Sequence, residues 1–262
     1  MIDHKFKKKF GQNFIKDNTI INKIVDNVNI DNNTLVIEIG PGAGALTRML
    51  CNKAKHVLAY EIDVELKEVL NELVESNLNL DIIFDDFLNR DVLGDIKSYE
   101  YDKLYVVANL PYYITTPIIT KFIEDNIKID KMVIMVQKEV ADRLAAKVSS
   151  KEYGSLTVFL NYHFDIKKLF DVSRNVFVPR PNVDSSIVEL KNKEEKLYLK
   201  DINKFYKLVK DSFRFKRKTL KNNLQDYDLD KVSTVLARYN KDLSVRAEAL
   251  TLEIFVDISN NL

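Results

Sequence analysis

The run Glu38-Ile39-Gly40-Pro41-Gly42-Ala43-Gly44 follows a stretch that predicts a β-strand and precedes one that predicts a helix. Glycines at such a turn let the chain reverse sharply and let a ligand lie against the main chain, and the helix start behind them offers free amides. A plain strand-to-helix turn or a dinucleotide loop would also use glycines. The spacing is Gly-x-Gly-x-Gly, however, and not the Gly-x-Gly-x-x-Gly of a pyrophosphate fingerprint. Glu61 closes the second predicted strand, where a carboxylate can accept two hydrogen bonds from a ribose diol; a surface charge is the alternative. Asp85 and Asp86 close the third, and either could accept from the amino group of an adenine, unless they form only a short acidic loop. Together with the glycines, these acids describe a nucleoside site at the carboxyl edge of a parallel sheet, where open α/β sheets bind ligands.

Asn109-Leu110-Pro111-Tyr112 leaves the fourth predicted strand at the same edge. An asparagine carbonyl and a backbone carbonyl fixed by proline could accept both protons of an exocyclic amine, with Tyr112 stacked on its ring. Such contacts answer a chemical problem. The amino lone pair of adenine is delocalised into the ring, and hydrogen bonds that favour a pyramidal nitrogen, with positioning, make it a nucleophile. The reaction needs no metal. Taken alone, the same four residues would read as a strand-to-turn exit with a buried tyrosine.

The elements that must hold these residues follow from the alternation of short apolar runs with helical spacing, which signals βαβ units and a mostly parallel sheet. The pattern predicts seven strands, at Leu35–Ile39, His56–Tyr60, Leu80–Phe84, Leu104–Ala108, Met132–Val136, Leu156–Tyr162 and Ser186–Leu190, enough for one doubly wound sheet. Helices are predicted at Asp17–Val28 (capped by Asp17 or Asn18), Leu46–Asn52, Asp63–Val74 (capped by Asp63), Pro117–Asp125 and Lys138–Lys147. After Leu190 a charged linker, Lys191–Lys196, leads to helical patterns near Asp201–Phe213, Lys218–Asn223, Leu229–Tyr239 and Val245–Val256. The expected organisation is an α/β catalytic domain over residues 1–190 and a small all-α domain over residues 191–262.

Composition narrows the classes. No stretch approaches the roughly 20 apolar residues of a membrane span, and the basic start has no apolar run behind it, so neither a membrane protein nor a secretory signal is expected. Cys51 is the only cysteine, which excludes an intramolecular disulfide and a closed cysteine zinc site. Net charge is +1, so the chain as a whole gives no reason to expect a polyanion. Its distribution does. Lys5, Lys7, Lys8 and Lys9 cluster early, and Lys210, Arg214, Lys216, Arg217, Lys218 and Lys221 cluster late, although a solvated face is the plain explanation of either group.

These motifs, with others along nearly the whole chain, closely resemble the KsgA-type (RsmA) ribosomal RNA small-subunit adenine N6-dimethyltransferase family. The matching stretches are Phe10-Gly11-Gln12-Asn13-Phe14, the glycine loop, Asn109 to Pro117, Gln137 to Leu144, Tyr153-Gly154, Phe177 to Ser185, Arg217-Lys218-Thr219-Leu220 and Arg246 to Leu250. The glycine loop departs from the family in carrying Ala43 where leucine is frequent, and Tyr113 stands where some members have asparagine. The resemblance implies a Rossmann-like class I methyltransferase fold, with helices on both faces of its sheet, and S-adenosylmethionine as cofactor. It further implies that Asn13, Ile15, Gly40, Gly42, Glu61, Asp86 and Asn109 bind that cofactor, with the position of Phe87-Leu88 favouring Asp86 over Asp85. Asn109 and the main chain of Leu110 ahead of Pro111 would meet the target amine, and Tyr112 and Phe177 would stack on the two faces of a flipped adenine. Lys7, Lys8, Lys9, Arg214, Lys216, Arg217 and Lys218 would meet RNA phosphates. The implied activity is dimethylation of two adjacent adenines in a hairpin near the 3′ end of 16S rRNA, by a cytoplasmic enzyme that acts on a pre-30S particle in ribosome biogenesis and is a monomer off the ribosome. The related macrolide-resistance methyltransferases act on the large subunit, but Leu110, Thr115-Thr116-Pro117 and the Phe177–Ser185 stretch look more like the small-subunit family. A non-catalytic assembly factor on the same fold is disfavoured because each implied site position holds a competent residue.

Overall fold

A computed structural model describes residues 14–110 and 114–262. The central sheet has seven strands: β2 (Thr34–Ile39), β3 (His56–Glu61), β4 (Leu80–Phe84), β5 (Lys103–Asn109), β6 (Lys131–Gln137), β7 (Phe164–Val172) and β9 (Ser185–Asn192), in the spatial order β4-β3-β2-β5-β6-β9-β7. β4, β3, β2, β5 and β6 run parallel, and β9 joins β6 antiparallel. A separate two-stranded ladder pairs β1 (Phe14–Ile15) with β8 (Phe177–Val178), setting Ile15 opposite Phe177.

Every residue of β2 is buried, as expected of a central parallel strand covered on both faces. Alternate positions show how. Val36, Val57, Ala59, Tyr105 and Val107 share a core with α1 (Asn18–Val28), α2 (Ala45–Cys51) and α3 (Lys67–Ser76). On the opposite parity, Tyr60 meets Phe87 edge-on at 5.1 Å, and Phe87 meets Phe122 of α5 (Thr115–Glu124) at 5.5 Å. A short α4 (Val92–Ile96) precedes β5, and α6 (Lys138–Leu144) follows β6. Asp17 and Asp63 cap as the sequence implies, accepting from the amides of Thr19 and Glu65. Pro117 is the third residue of its helix, later than expected for a proline at the first helical position.

One predicted strand is a helix. Leu156–Tyr162 falls within α7 (Ser155–His163), and the sheet strand is the following segment, β7. The β-branched and aromatic residues suggested a strand, but Val158 and Tyr162, four apart, bury one helical stripe in a core with Phe205 and Leu208. β7 escaped notice because it stands at the end of the strand order and carries Asp165, Lys167, Lys168 and Asp171, as edge strands do.

The chain divides into two compact units. The first extends to Ala141 and includes Lys167–Lys191; the second comprises Asp142–Ile166 and Asn192–Leu262. A single cut after residue 190 therefore misses the segment that α7 brings to the second unit. That unit also holds α8 (Ile202–Ser212), α9 (Leu220–Asn223), α10 (Leu229–Arg238) and α11 (Leu252–Asn261). The last helix begins later than the predicted Val245, because a 3₁₀ turn at Ala247–Ala249 and the residues up to Thr251 intervene. Among the described residues no helix is long and apolar enough to cross a membrane.

Candidate active site

The carboxyl ends of β2, β3, β4 and β5 open onto one cavity of about 320 Å³ in the first unit. Its floor is the glycine loop. Gly40 has φ +74° and a Cβ there would project into open space, so the residue satisfies the backbone and leaves room beside it. Gly42, at φ +58°, is closed from the other side: a Cβ would fall 2.6 Å from the ring of Phe14. The amide of Gly40 donates to the carbonyl of Tyr60 at 2.9 Å, which extends the β2–β3 register into the loop.

Glu61, at the end of β3, is only 3% exposed. Its Oε2 accepts from the amide of Gly42 at 3.0 Å, and its Oε1 from the amide of Asp63 at 2.8 Å. Each oxygen keeps a lone pair beyond these bonds. The carboxylate thus braces the loop and can still accept from a diol. Burial raises its pKa, against the two amide bonds.

Glu38, on β2, is a site residue that the motif reading passed over as the lead-in to the glycines. It lines the same cavity and is 1% exposed. Its Oε2 and the Oγ1 of Thr47 are buried without a hydrogen-bond partner. Burial, partly offset by the adjacent Thr47 hydroxyl and reinforced by the charge of Glu61, pushes its pKa up to about 8. The signal in the sequence was a lone acid in the otherwise apolar run Leu35–Ile39.

Asp85 and Asp86 both border the cavity and differ in their engagements. Asp85 is exposed and pairs with Arg90 at 3.3 Å. Asp86 is half-buried and caps the turn Phe87–Asn89, accepting from the amide of Leu88 at 3.0 Å. Ile62, just after Glu61 and 46% exposed, is a further apolar wall that sequence reasoning did not single out.

Asn109 ends β5 opposite Met135 of β6, and Leu110 follows it into the cavity wall. The amide of Leu110 donates to the carbonyl of Met135 at 3.4 Å. Ile15 also lines the cavity. Phe177 does not: it is 2% exposed, within the core shared with Ile15 and Val176. Asn13, Pro111, Tyr112, Lys7, Lys8 and Lys9 lie outside the described residues. Arg214, Lys216, Arg217 and Lys218 belong to the second unit, on the exposed loop between α8 and α9.

The model of a family described as ribosomal RNA adenine dimethylase matches residues 3–262. The chain belongs to the ribosomal RNA adenine dimethylase family. Curated relatives of this adenine dimethylase include the ribosomal RNA small subunit methyltransferases A of Bacillus licheniformis and Streptococcus pneumoniae. The first is 43% identical over 98% of this chain and 91% of the relative, the second 44% identical over 98% and 92%. Among solved structures, a dimethyladenosine transferase from Plasmodium falciparum superposes with TM-score 0.79 at 28% identity, covering 94% of this chain and 95% of that one. The 23S rRNA methyltransferase ErmE superposes with TM-score 0.77 at 25% identity, covering 95% and 99%. The fold is that of the class I methyltransferases, and the adenine dimethylase is an enzyme whose cofactor is S-adenosylmethionine. The residues present fit that group: Glu61 is braced with acceptor capacity to spare, the space over Gly40 is open, and Glu38 sets a buried carboxyl oxygen without a hydrogen-bond partner on the cavity wall.

Proposed function

We propose that this adenine dimethylase transfers methyl groups from S-adenosylmethionine to the N6 nitrogens of two adjacent adenines in a hairpin near the 3′ end of small-subunit rRNA. The observation that carries the reading is the convergence of two sets of residues on one cavity. Gly40, Glu61 and Asp86 border it from β2, β3 and β4, and Asn109 and Leu110 border it from β5. Gly40, Gly42 and Ile15 would lie along the cofactor, Glu61 would accept from its ribose hydroxyls, and Asp86, held by its own turn, would accept from its adenine amine. Asn13 would add a contact from the segment before Ile15.

When bound, the cofactor supplies an electrophilic methyl group on a cationic sulfur. The chain's part is to present the target nitrogen to it. With the Leu110 amide engaged by Met135, the main chain leaving β5 is fixed, so the Leu110 carbonyl ahead of Pro111 and the Asn109 side chain can accept the two amine protons together. That arrangement favours a pyramidal nitrogen, and preorganised acceptors need no rearrangement during the reaction. Tyr112 would stack on the flipped base, an interaction worth about 1–3 kcal/mol. Phe177 reaches the other face only if the β1–β8 ladder shifts to uncover it.

Identities of 43% and 44% to small-subunit enzymes, against 25% to a 23S enzyme, favour the small-subunit target. A pre-30S particle in the cytoplasm is then the substrate, met by a monomeric enzyme as a step of ribosome biogenesis. Lys7, Lys8 and Lys9 and the loop cations Arg214, Lys216, Arg217 and Lys218 would engage its phosphates. The test is methyl transfer to small-subunit particles lacking the modification, with the product nucleoside identified and its position mapped by primer extension. Dimethyladenosine in small-subunit rRNA is expected; methylation confined to the large subunit would overturn the assignment. In the same assay Asn109→Ala should nearly abolish turnover. Tyr112→Phe should stay within about tenfold of wild type, about 1.4 kcal/mol of barrier, and Tyr112→Ala should lose far more.

A further inference from the structure

The loop between α8 and α9 presents an aromatic ring where the proposed RNA contact needs only charge. Phe215 is 55% exposed, and the guanidinium of Arg214 lies 5.4 Å from its ring centroid. The backbone beneath it is pinned. Asn223 of α9 accepts from the Phe215 amide at 3.1 Å and donates to the carbonyls of Phe215, at 3.3 Å, and Ser212, at 2.7 Å. The amide of Lys218 closes the turn on the Phe215 carbonyl at 2.9 Å, and Lys216 donates to the carbonyl of Lys151. Among the described residues, Arg214, Lys216, Arg217 and Lys218 form no direct ion pair; Arg214 lies within electrostatic reach of Asp211, whose carboxylate is hydrogen-bonded by Lys207 and Tyr227.

An apolar ring of this size held in water is unfavourable, and nothing in the second unit's core requires it. Four cations around it, none in a direct ion pair and only Arg214 near a carboxylate, select a polyanion. A polyanion that also offers flat apolar faces is a nucleic acid with unstacked bases, and a ring backed by a guanidinium is the platform such bases use. We propose that Phe215 stacks on an unpaired nucleobase of structured RNA while the flanking cations hold its phosphates. This rests on the reading of the loop as an RNA contact and adds to it a preference for a bulged, looped or terminal nucleotide over continuous duplex.

The chain contains no tryptophan, so Phe215→Trp makes a single-tryptophan enzyme with its reporter at the proposed contact. Protein-free small-subunit rRNA should quench that fluorescence strongly, while Leu78→Trp, at a fully exposed position of the first unit, serves as the reference for quenching without stacking. Phe215→Ala should weaken binding of the same RNA by about tenfold with an unchanged salt slope, because every phosphate interaction is kept. Phe215→Trp should bind as wild type, and a perfectly paired RNA duplex should not discriminate between Phe215 and Ala. If the cation variants flatten the salt slope while Phe215→Ala binds normally and the tryptophan is quenched no more than at position 78, the loop binds RNA through charge alone and the stacking proposal fails. If neither kind of variant changes RNA binding, the reading of the loop as an RNA contact fails with it.

Discussion

Glu38 and Glu61 are buried carboxyls on neighbouring strands, and the first of them ties cofactor-free stability to pH. The pKa of Glu38 stands at about 8, above its ordinary 4.5, so the folded protein holds a proton through that window where the unfolded chain has released it. Stability should therefore fall as pH rises from about 4.5 to 8, at up to about 1.4 kcal/mol per unit. Glu38→Gln should flatten this slope and raise the melting temperature at pH 8. Thermal unfolding of both proteins across the window decides it, and parallel curves would show that Glu38 is ionised in the fold. At Glu61 the expected loss is of ligand affinity. Glu61→Gln keeps one carbonyl acceptor for the loop amides but loses the charge, and should weaken S-adenosylmethionine by about 1.5–3 kcal/mol in calorimetry. An unchanged dissociation constant would remove Glu61 from the cofactor site. The place of Glu61 at the cavity was legible because it ends a strand next to a glycine loop, a position with a chemical meaning. Glu38 was not singled out, since a lone acid in an apolar strand signals a buried carboxyl but not what it serves.

At the scale of elements, the parallel strands and the glycine loop were readable because local propensity and burial agree there: β2, β3, β5 and β6 are apolar runs that the fold buries on both faces. The exchange of strand for helix at Leu156–Tyr162 marks where they part. Valine, phenylalanine and tyrosine favour a strand locally, but the packing of Tyr162 on Phe205, with ring centroids 5.4 Å apart, rewards a helix. The β1–β8 ladder, two residues a side, is too short to leave a pattern at all. The glycine loop carries a prediction of its own. Gly42→Ala combines a left-handed backbone with a Cβ 2.6 Å from the ring of Phe14. It should destabilise the protein by about 1–3 kcal/mol and weaken the cofactor, because Phe14 and the Glu61 brace must both move. Gly40→Ala meets no such obstacle and should cost less stability. Chemical denaturation of the pair separates strain from collision, and equal losses would leave the Phe14 ring without weight.

For the whole molecule, charge is informative only by location. With 40 basic and 39 acidic residues, the chain as a whole has almost no long-range attraction for a polyanion. The cavity belongs to the first unit and the basic loop to the second, so binding of cofactor and of RNA should respond to different substitutions. The sequence revealed the cluster but could not tell a solvated face from a binding one, because that depends on whether acidic neighbours neutralise it. Lys207 illustrates the neutralised case, paired with Asp211 at 2.6 Å, whereas the loop cations form no direct ion pair among the described residues and only Arg214 feels the Asp211 charge. Replacing Arg214, Lys216, Arg217 and Lys218 together by neutral residues should therefore weaken binding of protein-free small-subunit rRNA. Each cation that no longer meets a phosphate removes the release of somewhat less than one counterion, so the slope of log affinity against log salt should flatten by up to about three. Cofactor affinity, measured on the same preparation by calorimetry, should not change, which distinguishes a specific weakening of RNA binding from a misfolded protein. A variant with the wild-type salt slope would mean that the four cations face solvent in the complex, and that the RNA is held by other surfaces of the chain.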